Sequence, residues 1–382
     1  MKFQRAIDLS KLLKQKSFFL FGPRSTGKTT AIEDAIRGKS PPPIWIDLLD
    51  DQVFQEYLRS PSELLKRVSD QPQAPIVIDE IQRLPKLLNE VQRLLQKNSD
   101  LRFLMTGSSA RKLRRKGSNL LGGRAWEARM LPLTFAEIPD FDLEKYLNCG
   151  GIPSIYLSQN PKEELRAYTS LYLREEIVNE AAVRNLENFT RFIDAMALQN
   201  GRELHFQGIA KDVGFPAKTV ANYVDILKDT LLGYELPAFR KTRHRKAITR
   251  SKFYFFDVGV AHHLSRSSEL IRPGSELFGA ALEHWVIGEL RAMLSYQRRD
   301  ETLTYWRSTS GFEVDVIVGN RAAIEIKATQ RVQSQDLRGL KALREEGLIQ
   351  KMMLVSRDPE RRTVEGIELI PWWDWILEIE KI

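Results

Sequence analysis

Along residues 1–135, short apolar runs alternate with stretches whose apolar positions recur every three or four residues. Ser17–Phe21, Ile44–Leu48, Ile76–Asp79 and Leu101–Thr106 are the runs, and Leu87–Lys97 is the clearest intervening helical pattern. Continuously apolar strands separated by helices predict a parallel sheet covered on both faces. Ser40-Pro-Pro-Pro43 is a hard stop after the first crossover helix. From about Phe135 to Leu198 the strand signals disappear. Glu163–Glu180 and Leu186–Gln199 have helical spacing, which predicts an all-helical unit. Residues 205–231 predict two short helices around a glycine turn, and an aromatic strand follows at Phe253–Phe256. Pro273-Gly274 separates off a last unit with a helix from Glu276 to about Leu294. Strands near 302–307, 312–318 and 322–328 follow, then a helix from Gln335. These breaks divide the chain into 1–135, 136–200, 201–265 and 266–382.

Composition narrows the class. With 382 residues, 42% hydrophobic and 28% charged, the chain is globular and long enough for two or three domains. The single cysteine, Cys149, excludes an internal disulfide framework and any multi-cysteine metal site. Lys2, Arg5, Asp8, Lys11, Lys14 and Lys16 break up the first twenty residues, and no run approaches the roughly 20 apolar residues that span a bilayer. A cytoplasmic protein with no membrane partner is expected. Basic residues outnumber acidic ones 58 to 50, and the excess is clustered. Arg111–Lys116 holds five basic residues in six, and Arg240–Lys252 holds seven with no acid. Clusters of this kind make nucleic acid a candidate partner.

Gly22-Pro23-Arg24-Ser25-Thr26-Gly27-Lys28-Thr29 has the spacing of a phosphate-binding loop, and Thr30 follows it. Backbone N–H groups at a helix N-terminus cradle the phosphates, Lys28 reaches the β/γ-phosphates, and the Thr29 hydroxyl takes a Mg²⁺ position. Ile76-Val-Ile-Asp79-Glu80 is the complementary half: Asp79 holds the Mg²⁺ shell, and Glu80 polarises the attacking water. ATP hydrolysis with Mg²⁺ is therefore expected. In Thr106-Gly-Ser108-Ser109 a polar residue is placed to read the γ-phosphate, or simply to start a loop. Leu121-Gly-Gly-Arg124 offers Arg124 as an arginine finger, with Arg114 and Arg115 as alternatives.

Phe206–Leu232 fits a helix-turn-helix register through Ala210, Gly214 and Val220, with Pro216 suited to the first turn of the second helix. Its exposed face offers Lys218, Thr219 and Asn222 to DNA. Arg243, Arg245 and Lys246 would stand on a basic wing, unless the unit serves only domain packing. In the last unit Glu313-Val-Asp315 ends one strand pattern, and Glu325-Ile-Lys327 sits in the next. Alternation puts Glu325 and Lys327 on one face, with Ile326 toward the core. Asp315 and Glu325 could hold Mg²⁺, with Glu283 as third carboxylate and Lys327 orienting water, for phosphodiester cleavage. The alternative is an ordinary hairpin with exposed charges.

Taken together these residues resemble a family of bacterial and archaeal AAA-type ATPases. Its members join a phosphate-loop domain, a helical lid with a winged helix, and a C-terminal domain of unknown function similar to restriction-endonuclease-like nucleases. The resemblance covers essentially the whole chain. It rests on Gly22-Pro-Arg24 through Thr30, Ile78-Asp79-Glu80-Ile81-Gln82, Leu104-Met-Thr-Gly-Ser108-Ser109, Leu121-Gly-Gly-Arg124 and Leu131-Pro-Leu-Thr-Phe135. Phe253-Tyr-Phe-Phe-Asp257-Val-Gly259, Trp306 to Asp315 and Ala323-Ile-Glu325-Ile-Lys327-Ala328 carry the rest. Many relatives read Gln-Val where this chain has Ser25-Thr26, at positions whose side chains are expected to face away from the phosphates. The resemblance implies a multidomain α/β protein: a P-loop ATPase parallel sheet, a helical lid with winged helix, and a restriction-endonuclease-like C-terminal domain. It also implies a nuclease-type site of Glu283, Asp315, Glu325 and Lys327, similar to that of archaeal Holliday-junction resolvases. ATP-driven processing of DNA, branched DNA first, is the expected function; a nucleotide-dependent DNA-binding regulator with an inactive nuclease fold is the alternative. AAA-type relatives often form hexamers, which makes a homo-oligomer an expectation.

Overall fold

The computed structural model describes residues 2–108, 121–172 and 186–382. Ser109, Arg114, Arg115 and the basic run Arg111–Lys116 lie outside the described residues, as does the second half of the helix expected at Glu163–Glu180.

The N-terminal unit opens with α1 (Leu9–Gln15), β1 (Ser17–Phe21), α2 (Lys28–Ile36) and β2 (Ile44–Asp47). It continues with α3 (Asp51–Arg59), α4 (Glu63–Asp70), β3 (Ile76–Asp79), α5 (Leu87–Lys97), β4 (Phe103–Gly107) and β5 (Ala125–Arg129). All pairings in this sheet are parallel, in the order β2-β3-β4-β1-β5. Its inner strands β1, β3 and β4 are buried on both faces because helices cover both. Phe19, Ile46, Ile78 and Met105 pack with α5 on one side, and Phe18, Leu20 and Val77 with α1 and α2 on the other. The order has a chemical consequence. β4 separates β1 from β3, so Thr106 stands between the phosphate loop after β1 and Asp79 at the end of β3.

A helical segment follows: α6 (Leu143–Cys149), α7 (Pro153–Leu157) and α8 (Pro161–Ala167), with one wider turn at Tyr168–Tyr172, then α9 (Leu186–Leu198). Next come β6 (Arg202–Glu203), α10 (Phe206–Val213), α11 (Ala217–Asp229), β7 (Gly233–Leu236) and β8 (Lys252–Phe255), with α12 (Val258–Leu264) closing the segment. α10 and α11 are joined through Gly214, whose left-handed backbone (φ 77°) ends α10, and Val220 is fully buried. Pro216 caps α11 from just outside, one position earlier than the first turn. Beside these helices lies a three-stranded antiparallel sheet ordered β6-β8-β7.

The last unit is built on the 21-residue α13 (Glu276–Tyr296). Strands β9 (Leu303–Arg307), β10 (Glu313–Val318) and β11 (Ala322–Lys327) form an antiparallel meander. Then follow α14 (Arg338–Arg344), β12 (Lys351–Ser356), β13 (Arg362–Val364), β14 (Ile367–Pro371) and α15 (Trp372–Leu377), giving a six-stranded sheet ordered β13-β14-β12-β11-β10-β9. α13 packs Leu282, Trp285 and Val286 against one face, near Val316 and Ile324; α14 packs Leu340 and Leu343 against the other, near Val314 and Ile317. Gly339 permits that second contact. A Cβ there would stand 1.8 Å from the Glu313 carbonyl oxygen, so any side chain would push α14 off β10.

Candidate functional site

The phosphate loop turns sharply from β1 into α2 because two residues take left-handed backbone, Ser25 (φ 63°) and Gly27 (φ 84°). Lys28 is buried, and its ammonium donates to the carbonyls of Gly22 at 2.8 Å and Pro23 at 3.0 Å. The Thr26 hydroxyl is also drawn inward, donating to the Pro23 carbonyl at 2.8 Å. On the outside of the loop, Tyr168 donates to the Arg24 carbonyl at 3.2 Å, which anchors the helical segment to it.

The structure brings Thr29 and Asp79 together: the Thr29 hydroxyl donates to Asp79 Oδ2 at 3.0 Å. Thr106, from the interposed β4, donates to the other oxygen of Asp79 and accepts the Glu80 N–H at 2.9 Å. Glu80 has left-handed backbone (φ 59°), a conformation that costs a non-glycine residue about 1–3 kcal/mol and persists where its surroundings fix it. Gln82 Nε2 donates to the Glu80 carboxylate and to the Ser108 hydroxyl, the latter at 3.0 Å. Burial pushes the Glu80 carboxyl above its ordinary value, while nearby Lys28 pulls it down. A hydroxyl and a carboxylate side by side at a phosphate-loop helix suit Mg²⁺: Thr29 and Asp79 would hold it, and it would offset phosphate charge. Sequence reasoning left Thr106 and Gln82 without defined roles. Their signal was the position of Thr106 at the end of a strand that sheet order, rather than sequence, places beside Asp79. Arg124 sits in the turn before β5, half-buried.

A third unanticipated residue, Arg5, supports the loop from behind. Arg5 donates to the Thr26 carbonyl at 2.6 Å, the Leu131 carbonyl at 2.6 Å, Glu137 at 2.9 Å and the Tyr296 hydroxyl at 3.0 Å. Tyr296 ends α13, and Glu283 lies thirteen residues earlier on the same helix, about 20 Å along its axis. α13 thus carries Glu283 and, through Tyr296 and Arg5, also reaches the phosphate loop.

In the C-terminal unit the predicted side chains converge, with altered geometry. Asp315 lies near the start of β10 rather than at the end of a strand, because β10 continues to Val318. The β9–β10 register shifts between Val314 and Ile317, an irregularity of the kind that re-aims side chains. Asp315 Oδ2 accepts the Ile326 N–H at 2.7 Å. Glu325 accepts from Lys327 at 2.5 Å, and its other oxygen is buried with no hydrogen-bond partner. Burial raises both carboxyl groups above their ordinary values; Glu283 adds to the effect at Asp315, and Asp315 to that at Glu325. The ordinary exposed hairpin is excluded by burial: Asp315 is 8% and Glu325 5% exposed.

Glu283 does not face this pair alone. Lys252, at the start of β8, donates to Glu283 at 3.0 Å and to Glu313 at 2.8 Å, and Tyr254 donates to Glu283 at 2.5 Å. Lys252 and Tyr254 are two apart on one strand, so they share a face. Among the described residues no three His, Cys, Asp or Glu side chains are grouped so as to hold a metal ion. In this arrangement the carboxylates do not fit Mg²⁺: they are not grouped as a metal site, and an ammonium and a phenol already share Glu283 Oε1.

Lys218 and Asn222 are exposed on α11, and Thr219 is half-buried. Arg243 and Lys246 are exposed, but the segment carrying them is pinned: the backbone N–H groups of Arg243, His244 and Arg245 all donate to the buried Glu346 carboxylate. Arg245 turns inward to Glu345 and the Ala342 carbonyl, so it is not presented as Arg243 and Lys246 are.

Residues 14–139 match the AAA domain family. That match, on the segment carrying Lys28, Thr29 and Asp79, supports an AAA-type P-loop ATPase. Residues 140–270 and 278–375 match two domains of unknown function, DUF8612 and DUF4143. An uncharacterized protein of Methanocaldococcus jannaschii is 25% identical over 96% of this chain and 89% of its own length. An uncharacterized protein of Haemophilus influenzae is 24% identical over 86% of this chain and 82% of its own. Among the described residues no helix is long and apolar enough to cross a membrane.

Proposed function

We propose that this protein hydrolyses ATP to drive the processing of DNA. The observation that carries the ATPase is Asp79, held between the hydroxyls of Thr29 and Thr106 beside Lys28. Bound Mg²⁺ would neutralise charge on the phosphates. Lys28 then binds the phosphates, Thr106 fixes the Asp79 carboxylate, and Glu80, released from Gln82, takes a proton from the attacking water. Arg124 is assigned to the finger role, which a neighbouring copy would complete in a homo-oligomer.

DNA is the assigned substrate on charge and topology. α10, α11 and the β6–β8–β7 sheet are read as a winged helix, with Lys218, Thr219, Asn222, Arg243 and Lys246 toward phosphates. The C-terminal sheet between α13 and α14 is read as a restriction-endonuclease-like fold, with Asp315, Glu325, Lys327 and Glu283 as its nuclease-type residues. One observation favours the second reading, a nucleotide-dependent DNA-binding regulator whose nuclease fold does not cut: Lys252 occupies Glu283. Strand scission of labelled branched and duplex DNA, with Mg²⁺ or Mn²⁺ and with or without ATP, separates the two. Cutting that is lost in Asp315→Asn, with ATP hydrolysis intact, supports the enzyme. No cutting of any substrate by the wild type supports the regulator.

A further inference from the structure

A cavity of about 370 Å³ lies where three units meet: the ends of β1 and β5, the start of β7, and α13. Ligand cavities in proteins run from roughly 300 to 1,000 Å³, so it has room for a small molecule. The phosphate-loop residues Gly22 and Pro23 line one wall, but Thr26, Gly27, Lys28 and Thr29 do not. Its charged lining is mostly cationic, with Arg129, Lys228 and Arg291 against Glu235. Lys228 is already neutralised, by Glu235 at 2.7 Å and Asp225 at 3.2 Å. The two arginines are not: among the described residues no carboxylate pairs with either of them.

Arg291 is half-buried, and its guanidinium lies 3.4 Å from the centre of the Tyr234 ring. That ring is fixed in turn by stacking on Tyr254, with centres 5.5 Å apart and planes 17° from parallel. An aromatic face offsets only part of the hydration that a buried cation loses. Burial draws the Arg291 guanidinium below its ordinary value, and the like charge of Arg129 adds to this. Tyr234 also brings a buried hydroxyl with no hydrogen-bond partner. An anion in the cavity would relieve all three groups.

We propose that this cavity is an anion site, separate from the ATP site, in which Arg129 and Arg291 hold a phosphate-bearing small molecule. A phosphate group carries about 1.5 to 2 negative charges near neutral pH and matches the donor forks of two guanidiniums. A single carboxylate would leave one arginine uncompensated. Because the walls come from three units, an occupant would tie the phosphate-loop sheet to β7 and α13.

Calorimetric titration of full-length Lys28→Ala protein with inorganic pyrophosphate tests this with the phosphate loop disabled. Pyrophosphate should still bind that variant. Adding Arg291→Met should weaken the binding about tenfold or more, the effect of losing a charge-assisted hydrogen bond. With Lys28 intact, Arg291→Met should leave ATP affinity at the wild-type value. No binding to Lys28→Ala, or binding indifferent to Arg291→Met, overturns the proposal. A tenfold loss of ATP affinity in Arg291→Met overturns it too, because the arginine would then belong to the nucleotide site. If Arg291→Met does not fold, Arg129→Met takes its place, since Arg129 is exposed and its truncation removes a charge without opening the core. Pyrophosphate affinity should fall in the same direction, and no fall overturns the proposal equally.

Discussion

The hydroxyl of Thr29, one residue past the phosphate-loop lysine, lies 3.0 Å from Asp79 Oδ2, although fifty positions separate the two in sequence. β4 makes this possible by inserting between their strands and gripping the second Asp79 oxygen through Thr106. Asp79 is thus oriented before any ligand arrives. Asp79→Asn should leave nucleotide binding without Mg²⁺ unchanged and abolish the tightening that Mg²⁺ brings to the wild type. Titration of a fluorescent ATP analogue with and without Mg²⁺ checks this; a normal Mg²⁺ effect in the variant would remove Asp79 from the metal site.

Arg5 is the support of the loop most exposed to a single change. Its guanidinium and Glu137 form an ion pair with side chains only 7% and 1% exposed, and it also donates to the Thr26 and Leu131 carbonyls. Arg5→Met strands the Glu137 charge, so unfolding in urea should come earlier by about 3–5 kcal/mol. The double change Arg5→Met, Glu137→Gln should recover part of that loss.

Much of the N-terminal unit was legible in the sequence because its chemistry is local. A phosphate loop needs its glycines and its lysine at fixed spacing, and the strand ending in Asp79 is apolar on both faces. β5 was missed because Ala125–Arg129 lies at the sheet edge and only Ala128 is buried. The C-terminal carboxylates were legible through strand alternation, which placed Glu325 and Lys327 together. Lys252 was not, since it read as one more cation in the run from Arg240. Its partners lie 31 and 61 residues away, and only tertiary packing reveals them.

A buried acid makes stability depend on pH. Glu289 on α13 accepts the Phe135 N–H at 2.9 Å, and burial pushes its carboxyl from an ordinary 4.5 up to about 8. The folded protein therefore keeps a proton that the unfolded chain releases. The associated stability is complete below about pH 4.5 and is lost as pH rises through about 8. Glu289→Gln keeps an acceptor for Phe135 and removes the titration. Relative to the variant, the wild type should lose up to about 1.4 kcal/mol per pH unit between these limits. Urea unfolding at pH 5, 6.5 and 8 checks the sign; a difference that does not vary with pH would contradict it.

The basic segment yields a contrast between neighbours. Arg243 and Lys246 are exposed, whereas Arg245 is engaged with Glu345 and the Ala342 carbonyl. Arg243→Ala with Lys246→Ala should flatten log K for duplex DNA against log[salt] by roughly two units, close to 0.9 per lost phosphate contact. Arg245→Ala should leave that slope unchanged and lower thermal stability instead. Equal slopes for wild type and double variant would take this segment off the DNA.

The central claim is that the Asp79–Glu80 pair turns a phosphate loop into an ATPase, with Glu80 activating the water. Steady-state phosphate release by Glu80→Gln, measured beside its nucleotide affinity, tests it most directly. The carboxamide preserves the shape of the side chain and cannot take the proton. ATP affinity close to that of the wild type, with turnover slower by about 10²-fold or more, is the predicted result. Undiminished turnover in Glu80→Gln would contradict the account.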